Sequence, residues 1–278
     1  MMSLDRRHAK RPQRVVLTGR QCREQQFYEE YSRRTAPIEI SFDPILGNER
    51  RPWNPYWFVC ESVMRYFTSS DQKVLDFGCG PGVYSLLWAQ VGYEVFGFDI
   101  SPNNIAVAKR LAEKYGFEER THFTLGVAEE CAYPSDSFDL VTGIDILHHV
   151  DIPRAVRECL RVLKRGGVAI FKEPIEAPVF DRLRNTRLGT WLVPKTPSYE
   201  RHVTEDERKL VADDLETIRA LAPDLSTRRF RLFSRLDSFF REGGDRRASA
   251  LEMIDGRVLG ALPFLEPFGG VIVLTITK

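Results

Sequence analysis

The chain has 278 residues, 43% of them hydrophobic and 28% charged, with a formal net charge of +1, an ordinary balance for a soluble globular protein. That length allows one large α/β domain or one domain with sizeable additions. The near-neutral charge argues against a broad basic footprint for nucleic acid or an anionic membrane. No apolar run approaches the ~18 residues of a membrane span, and no signal peptide is visible. Cys22, Cys60, Cys79, Cys131 and Cys159 form no C-x-x-C pair. That pattern suits a reducing cytoplasm and offers no disulfide framework or thiolate zinc site.

Residues 1–20 read as a loosely attached tail, locally basic at Arg6, Arg7, Lys10, Arg11 and Arg14. Gln21 to Arg34 is helical in pattern, with Cys22, Phe27 and Tyr31 on one face. A loop broken by Pro37, Pro44, Gly47 and Pro52 leads to a second helix from Trp53 to about Phe67. This aromatic preface lies outside the repeat that follows; it is read either as packing or as a lid. The division expected is therefore 1–69 as tail and helical cap, and 70–278 as the main domain.

From residue 73 strands and helices alternate, which implies parallel strands with helices on both faces. Lys73 to Phe77 is a buried strand, and Val83 to Val91 the first helix after it. Glu94 to Asp99 is the second strand; Ser101-Pro102 starts a helix whose apolar face includes Ile105, Ala108, Leu111 and Ala112, ended by Gly116. His122–Leu125 and Phe138–Ile144 are the third and fourth strands. Asp151-Ile152-Pro153 opens a helix that Gly166-Gly167 is expected to end, and Val168–Lys172 is the fifth strand. Residues 174–203 break the rhythm as an insertion. Thr204 and Glu207 have capping-box spacing for a helix to about Leu221. Arg228–Phe233 and Gly270–Thr277 add two strands, with a helix around 248–259 between them. The fold expected is a Rossmann-like, seven-stranded, mostly parallel sheet with an N-terminal helical lid.

The stretch Asp76-Phe77-Gly78-Cys79-Gly80-Pro81-Gly82 is the chemical centre of the chain. Glycines let a backbone approach a ligand closely, and the helix start behind them offers unpaired N–H groups. A dinucleotide fingerprint needs a third Gly at the position held by Val83. Asp76, just ahead of the loop, suits an ammonium better than a pyrophosphate, and Asp99 ends the second strand where ribose hydroxyls are held. A ribose joined to a cationic amino-acid end describes S-adenosylmethionine better than NAD.

The segments D-F-G-C-G-P-G, F-D-I-S, A-E-E-C-A-Y-P-S-D-S-F-D-L-V and L-H-H-V-D, in that order, resemble the class I S-adenosylmethionine-dependent methyltransferases, most of all their type 11 group. The resemblance covers residues 70–175 and not the flanks. It implies that Asp76 anchors the amino end of the methionine moiety, through water or the loop, with Gly78 and Gly80 making room. It also implies that Asp99 accepts both ribose hydroxyls, Ile100 lies against the adenine, Ala128 and Glu129 border it, and Ile144 lines the methionine chain. The family commonly has an acid just before the Ala-Glu pair, where this chain has Val127.

Methyl transfer needs alignment, exclusion of water and, for some acceptors, a base. His148 and His149, just past the fourth strand, are the candidates, with His149 matching a histidine frequent in relatives. Helix capping or packing is the competing reading for both. Asp145, His148 and His149 also carry metal-ligating groups at this strand end, but no metal is expected. No motif for nucleobase amines follows the fourth strand, so the partner expected is a small-molecule acceptor, apolar or aromatic, walled by Tyr28, Tyr31, Trp53 and Trp57, by Phe180, Trp191, Tyr199 and His202, and by the tail. Two other functions compete: a non-catalytic cofactor-binding protein and an NAD-dependent oxidoreductase.

Overall fold

The computed structural model describes residues 17–34, 38–47, 49–177, 208–239 and 247–278. Its strands are β1 (Lys73–Phe77), β2 (Glu94–Asp99), β3 (Thr121–Leu125), β4 (Phe138–Ile144), β5 (Leu163–Pro174), β6 (Leu225–Phe230) and β7 (Val271–Thr277). They form one sheet in the order β3-β2-β1-β4-β5-β7-β6. β1 to β5 pair in parallel, and β7 runs antiparallel to both β5 and β6. The order reverses between β1 and β4, which leaves a crevice at the carboxyl ends of those strands.

Local chemistry explains the elements. β1 is central and covered on both sides, so Val74, Leu75, Asp76 and Phe77 are all buried. Helix α4 (Val83–Val91) follows the glycine loop, and α5 (Pro102–Tyr115) starts at Ser101, whose hydroxyl accepts from the Asn104 N–H. Gly116, left-handed at φ 74°, closes α5. Asp151 caps α6 (Ile152–Val162) by accepting from the Arg154 N–H. One apolar cluster, with Trp88, Tyr93, Val59 and Val63, packs on one face of the sheet; a second, with Phe77, Phe138, Phe171 and Val156, packs on the other. Helices α1 (Gly19–Arg34), α2 (Asp43–Leu46) and α3 (Pro55–Tyr66) precede the sheet. Val59, Cys60 and Val63 of α3 are fully buried in the first cluster, so α3 belongs to the core rather than to a cover.

Several boundaries differ from expectation. α6 ends at Val162, not at the glycines, because Leu163 is already extended and pairs with Phe138. Gly166 makes a left-handed turn inside β5, where the register with β4 shifts. β6 lies three residues earlier than expected and stops at Phe230, because Arg231 takes a positive φ of 61°. The expected capping box at Thr204 lies outside the described residues. The described helix there is α7 (Ala212–Leu221), where Asp214 accepts from the Val211 N–H at 2.8 Å. Helix α8 (Ala250–Ala261) leads to β7. Among the described residues, no helix is long and apolar enough to cross a membrane.

Candidate active site

A cavity of about 810 Å³ opens at the carboxyl ends of β1, β2 and β4. Gly78, Gly80 and Pro81 form one wall, and Phe98, Asp99 and Ile100 the next. Gly126 to Glu129 follow, then Ile144, Asp145, Ile146 and His149. Gln21, Glu24 and Tyr28 of α1 face them. Seven of the eight expected cofactor residues therefore share one space: Gly78, Gly80, Asp99, Ile100, Ala128, Glu129 and Ile144.

The glycine loop works by conformation and clearance. Gly78 and Gly80 have φ of 73° and 52°, which side chains rarely adopt. A Cβ on Gly78 would lie 2.6 Å from the Ile146 side chain, so this glycine also lets the β4 loop close against β1. A Cβ on Gly80 would meet no atom of the described residues within 4 Å. The Gly80 N–H donates to Asp99 Oδ2 at 2.9 Å, while Oδ1 accepts from Ser101 N at 2.9 Å and Asn104 Nδ2 at 3.0 Å. A carboxylate has about four acceptor sites, so one on Oδ2 remains for a ribose hydroxyl. A second hydroxyl needs the Gly80 or Asn104 bond to yield. Burial raises the Asp99 pKa, against the hydrogen bonds from Ser101, Asn104 and Gly80.

Asp76 is placed differently from the rest. It is buried behind the loop and does not line the cavity. Ser85 Oγ donates to its Oδ2 at 2.5 Å. Burial pushes its pKa from the ordinary 3.8 up to about 7; the Ser85 bond opposes this and the Asp99 charge adds to it. Any action on a ligand's ammonium runs through the loop or a water. Glu129 lines the cavity, but its Oε2 accepts from Gln21 Nε2 at 2.9 Å and its Oε1 from Asp151 N at 3.1 Å. Val127, where relatives commonly carry an acid, is itself a buried part of the wall.

The two histidines separate cleanly. His148 is buried away from the cavity lining, with Nδ1 2.6 Å from Glu173 Oε2. Glu173 also accepts from the N–H groups of Ile146 and Leu147 at 2.9 and 2.8 Å, so His148 and Glu173 brace the turn after β4. His149 faces the cavity. Its Nε2 is 3.0 Å from Tyr28 Oη, and its Nδ1 is 3.4 Å from Glu24.

Asp145 follows β4 with φ 56°, a strained value for a residue with a side chain. Both its carboxylate oxygens lie 2.7 Å from Lys172 Nζ, which also reaches Tyr56 Oη at 3.1 Å. Burial works against the Lys172 charge, but Tyr56 and Asp145 outweigh it and raise its pKa. Asp145, His148 and Glu173 place ligand atoms within 4.8 Å of one another. Each of those groups already serves a protein partner, and the Lys172 ammonium fills the place a cation would take beside Asp145.

Helix α1 contributes Gln21, Glu24 and Tyr28 to the cavity lining and is tied to the segment after β2. Gln25 donates to the Ile100 carbonyl at 2.8 Å, and Glu29 accepts from Ser101 Oγ and Asn103 N, each at 2.8 Å. Sequence reasoning missed Gln21, Glu24, Gln25 and Glu29, which carry no motif; their four-residue rhythm puts them on one helix face. Of the expected aromatic walls, Tyr28 lines the cavity. Trp57 is buried, and Trp53 packs against Gly256 and the Arg228 guanidinium. The side chain of Tyr31 and residues Phe180, Trp191, Tyr199 and His202 lie outside the described ones.

A seven-stranded Rossmann-like sheet with this order, glycine loop and acid after β2 defines the class I methyltransferase fold. Residues 75–171 match the family described as a methyltransferase domain. The uncharacterized methyltransferase YcgJ of Bacillus subtilis is 35% identical over 119 residues, 42% of this chain and 47% of the relative. A ubiquinone biosynthesis O-methyltransferase of Rhizobium rhizogenes is 31% identical over 52% of this chain and 60% of its own length. The chain thus spans about half to three-fifths of these curated relatives. Among solved structures, geranyl diphosphate C-methyltransferase of Streptomyces coelicolor superposes with a TM-score of 0.59 at 11% identity, over 93% of this chain and 98% of that one. That likeness is one of fold.

Proposed function

We propose that the chain is an S-adenosylmethionine-dependent methyltransferase that acts on an oxygen or carbon of a small, apolar or aromatic molecule. One observation carries this reading: the glycine loop and Asp99 share a single cavity with His149 and Tyr28, so a nucleoside end and a proton-handling end meet in one space. The O-methyltransferase named among the relatives supports oxygen as the methylated atom. An NAD-dependent reaction is disfavoured by Val83 in place of the third glycine. A purely regulatory, non-catalytic role leaves the His149 and Tyr28 wall without a use.

The residues fit the cofactor. Asp99 would take a ribose hydroxyl, Ile100, Val127 and Ala128 would enclose the adenine with Glu129 at its border, and Ile144 would follow the methionine chain. Gly78 and Gly80 would pass the amino-acid end, with Asp76 acting through the loop. When bound, the cofactor supplies an electrophilic methyl group on a sulfonium. The chain's own residues align the acceptor, exclude water and hold its proton, with His149 as base; His148 positions the turn that carries it.

Residues 1–69 are assigned as tail and cap, with α1 as the cover and α3 as its anchor in the core. Residues 70–278 are assigned as the methyltransferase domain, with 174–203 as an insertion. We place the protein in the cytoplasm, acting on a small molecule and not on nucleic acid. The test incubates the full chain with methyl-labelled S-adenosylmethionine and a panel of quinols, phenols and small hydroxy acids. Label transferred to a panel member, and lost with Asp99→Asn, is the expected result. Cofactor binding with no transfer to any acceptor class would favour the regulatory reading.

A further inference from the structure

We infer that Glu24, His149 and Tyr28 form a proton relay that selects a hydroxyl of phenol-like acidity as the acceptor. The inference rests on the methyltransferase reading and deepens it. All three side chains line the cavity, although Glu24 and Tyr28 come from α1 and His149 from the turn after β4. Glu24 and His149 are 4% and 9% exposed, so little water competes for their contacts.

The geometry fixes the direction of the relay. Nδ1 of His149 lies 3.4 Å from both carboxylate oxygens of Glu24. A carboxylate only accepts, so in the neutral ring the Nδ1 side carries the hydrogen and Nε2 keeps its lone pair. That lone pair faces Tyr28 Oη at 3.0 Å, with the two rings edge-on at 77°. Tyr28 is then the donor to His149, and its oxygen lone pairs face the cavity. Among the described residues, His148, whose ring lies 4.0 Å away and is paired with Glu173, and Asp145 on the cavity wall, paired with Lys172, are the other titratable groups near His149. Glu24 is the carboxylate that lies against His149 Nδ1.

The proton steps balance. An acceptor hydroxyl gives its proton to Tyr28 Oη while the original Tyr28 proton passes to His149 Nε2. The imidazolium keeps its Nδ1 hydrogen on Glu24. The acceptor oxygen uses the freed electron pair to take the methyl group, and the pair of the broken carbon–sulfur bond remains on sulfur. A positive charge leaves the sulfonium and one appears on His149 beside the Glu24 carboxylate. Glu24 is a positioning residue; Tyr28 is the group that meets the acceptor.

Two readouts without turnover test this. In imidazole nitrogen NMR of the full chain, His149 should be the Nδ1–H form in the wild type, and Glu24→Gln should convert it at least in part to the Nε2–H form. An Nε2–H wild type, or no change in the variant, overturns the assignment. The second probe is 4-nitrophenol, whose colour reports its ionisation, added to protein saturated with S-adenosylhomocysteine. Wild type should raise the bound phenolate-to-phenol ratio above that in buffer at the same pH. Tyr28→Phe, which keeps the ring packing, and His149→Gln should each lower it ~tenfold, a shift of about one pKa unit. No enrichment, enrichment unchanged in both variants, or no binding overturns the relay or its phenol preference. Failure of the methyltransferase reading itself would show separately, as no binding of S-adenosylhomocysteine in the saturation step.

Discussion

Replacing Asp76 by Asn is the perturbation whose size the structure fixes best. Asp76 is 2% exposed, and its pKa stands near 7 against an ordinary 3.8. The folded chain therefore binds this proton more tightly than the unfolded chain does. Its stability is greatest below about pH 4 and falls as pH rises through about 7, where the folded protein finally gives the proton up. A shift of about three units corresponds to ~4 kcal/mol across that window. Asn keeps the shape but cannot ionise, so this contribution to the slope should vanish. At pH 8 the variant should exceed wild type by ~1–3 kcal/mol, after allowance for the lost Ser85 bond to a charged acceptor. At pH 4 the two should nearly coincide. Urea unfolding from pH 4 to 8, followed by fluorescence and circular dichroism, measures this. The same experiment with S-adenosylmethionine tests function: a ligand ammonium favours ionised Asp76, so wild-type affinity should rise with pH and the variant's should not. Identical pH slopes in the two proteins would refute the burial argument.

Three other substitutions probe the rest of the site. Asp99→Asn should weaken S-adenosylmethionine at least ~tenfold, the loss of one charge-assisted hydrogen bond, with the sheet intact by circular dichroism. Unchanged affinity by calorimetry would remove Asp99 from the ribose site. Gly80→Ala should cost ~1–2 kcal/mol in thermal or urea unfolding, from its left-handed backbone alone, since its Cβ meets no atom of the described residues. It should weaken the cofactor by more than that strain explains, because the methyl group enters ligand space; an affinity equal to wild type would place the ligand elsewhere. Lys172→Met leaves the partly exposed Asp145 carboxylate without its buried partner and should destabilise by ~1–3 kcal/mol in urea. A neutral effect would show that Asp145 finds a substitute cation.

The sheet and the cavity wall were legible because their signals are local. Lys73–Phe77 reads as a strand from its own apolar run, and Gly78, Gly80 and Asp99 from spacing alone. The Asp76 assignment was legible only in part, since nothing local shows that its carboxylate turns behind the loop to Ser85. Long-range pairings stayed hidden. Tyr28 and Glu24 meet His149 across 121 and 125 residues, and Lys172 reaches Tyr56 across 116. Period and composition place α1 as a helix but cannot choose the surface it covers. The choice between His148 and His149 also needed the fold, because only the turn geometry after β4 sends one ring to Glu173 and the other to the cavity.

Calorimetric titration of the full chain with S-adenosylmethionine, S-adenosylhomocysteine and NAD tests the central claim most directly. The account predicts saturable one-to-one binding of both sulfur ligands, weakened by Asp99→Asn, and no comparable binding of NAD. Tight binding of NAD with no response to either sulfur ligand would contradict it.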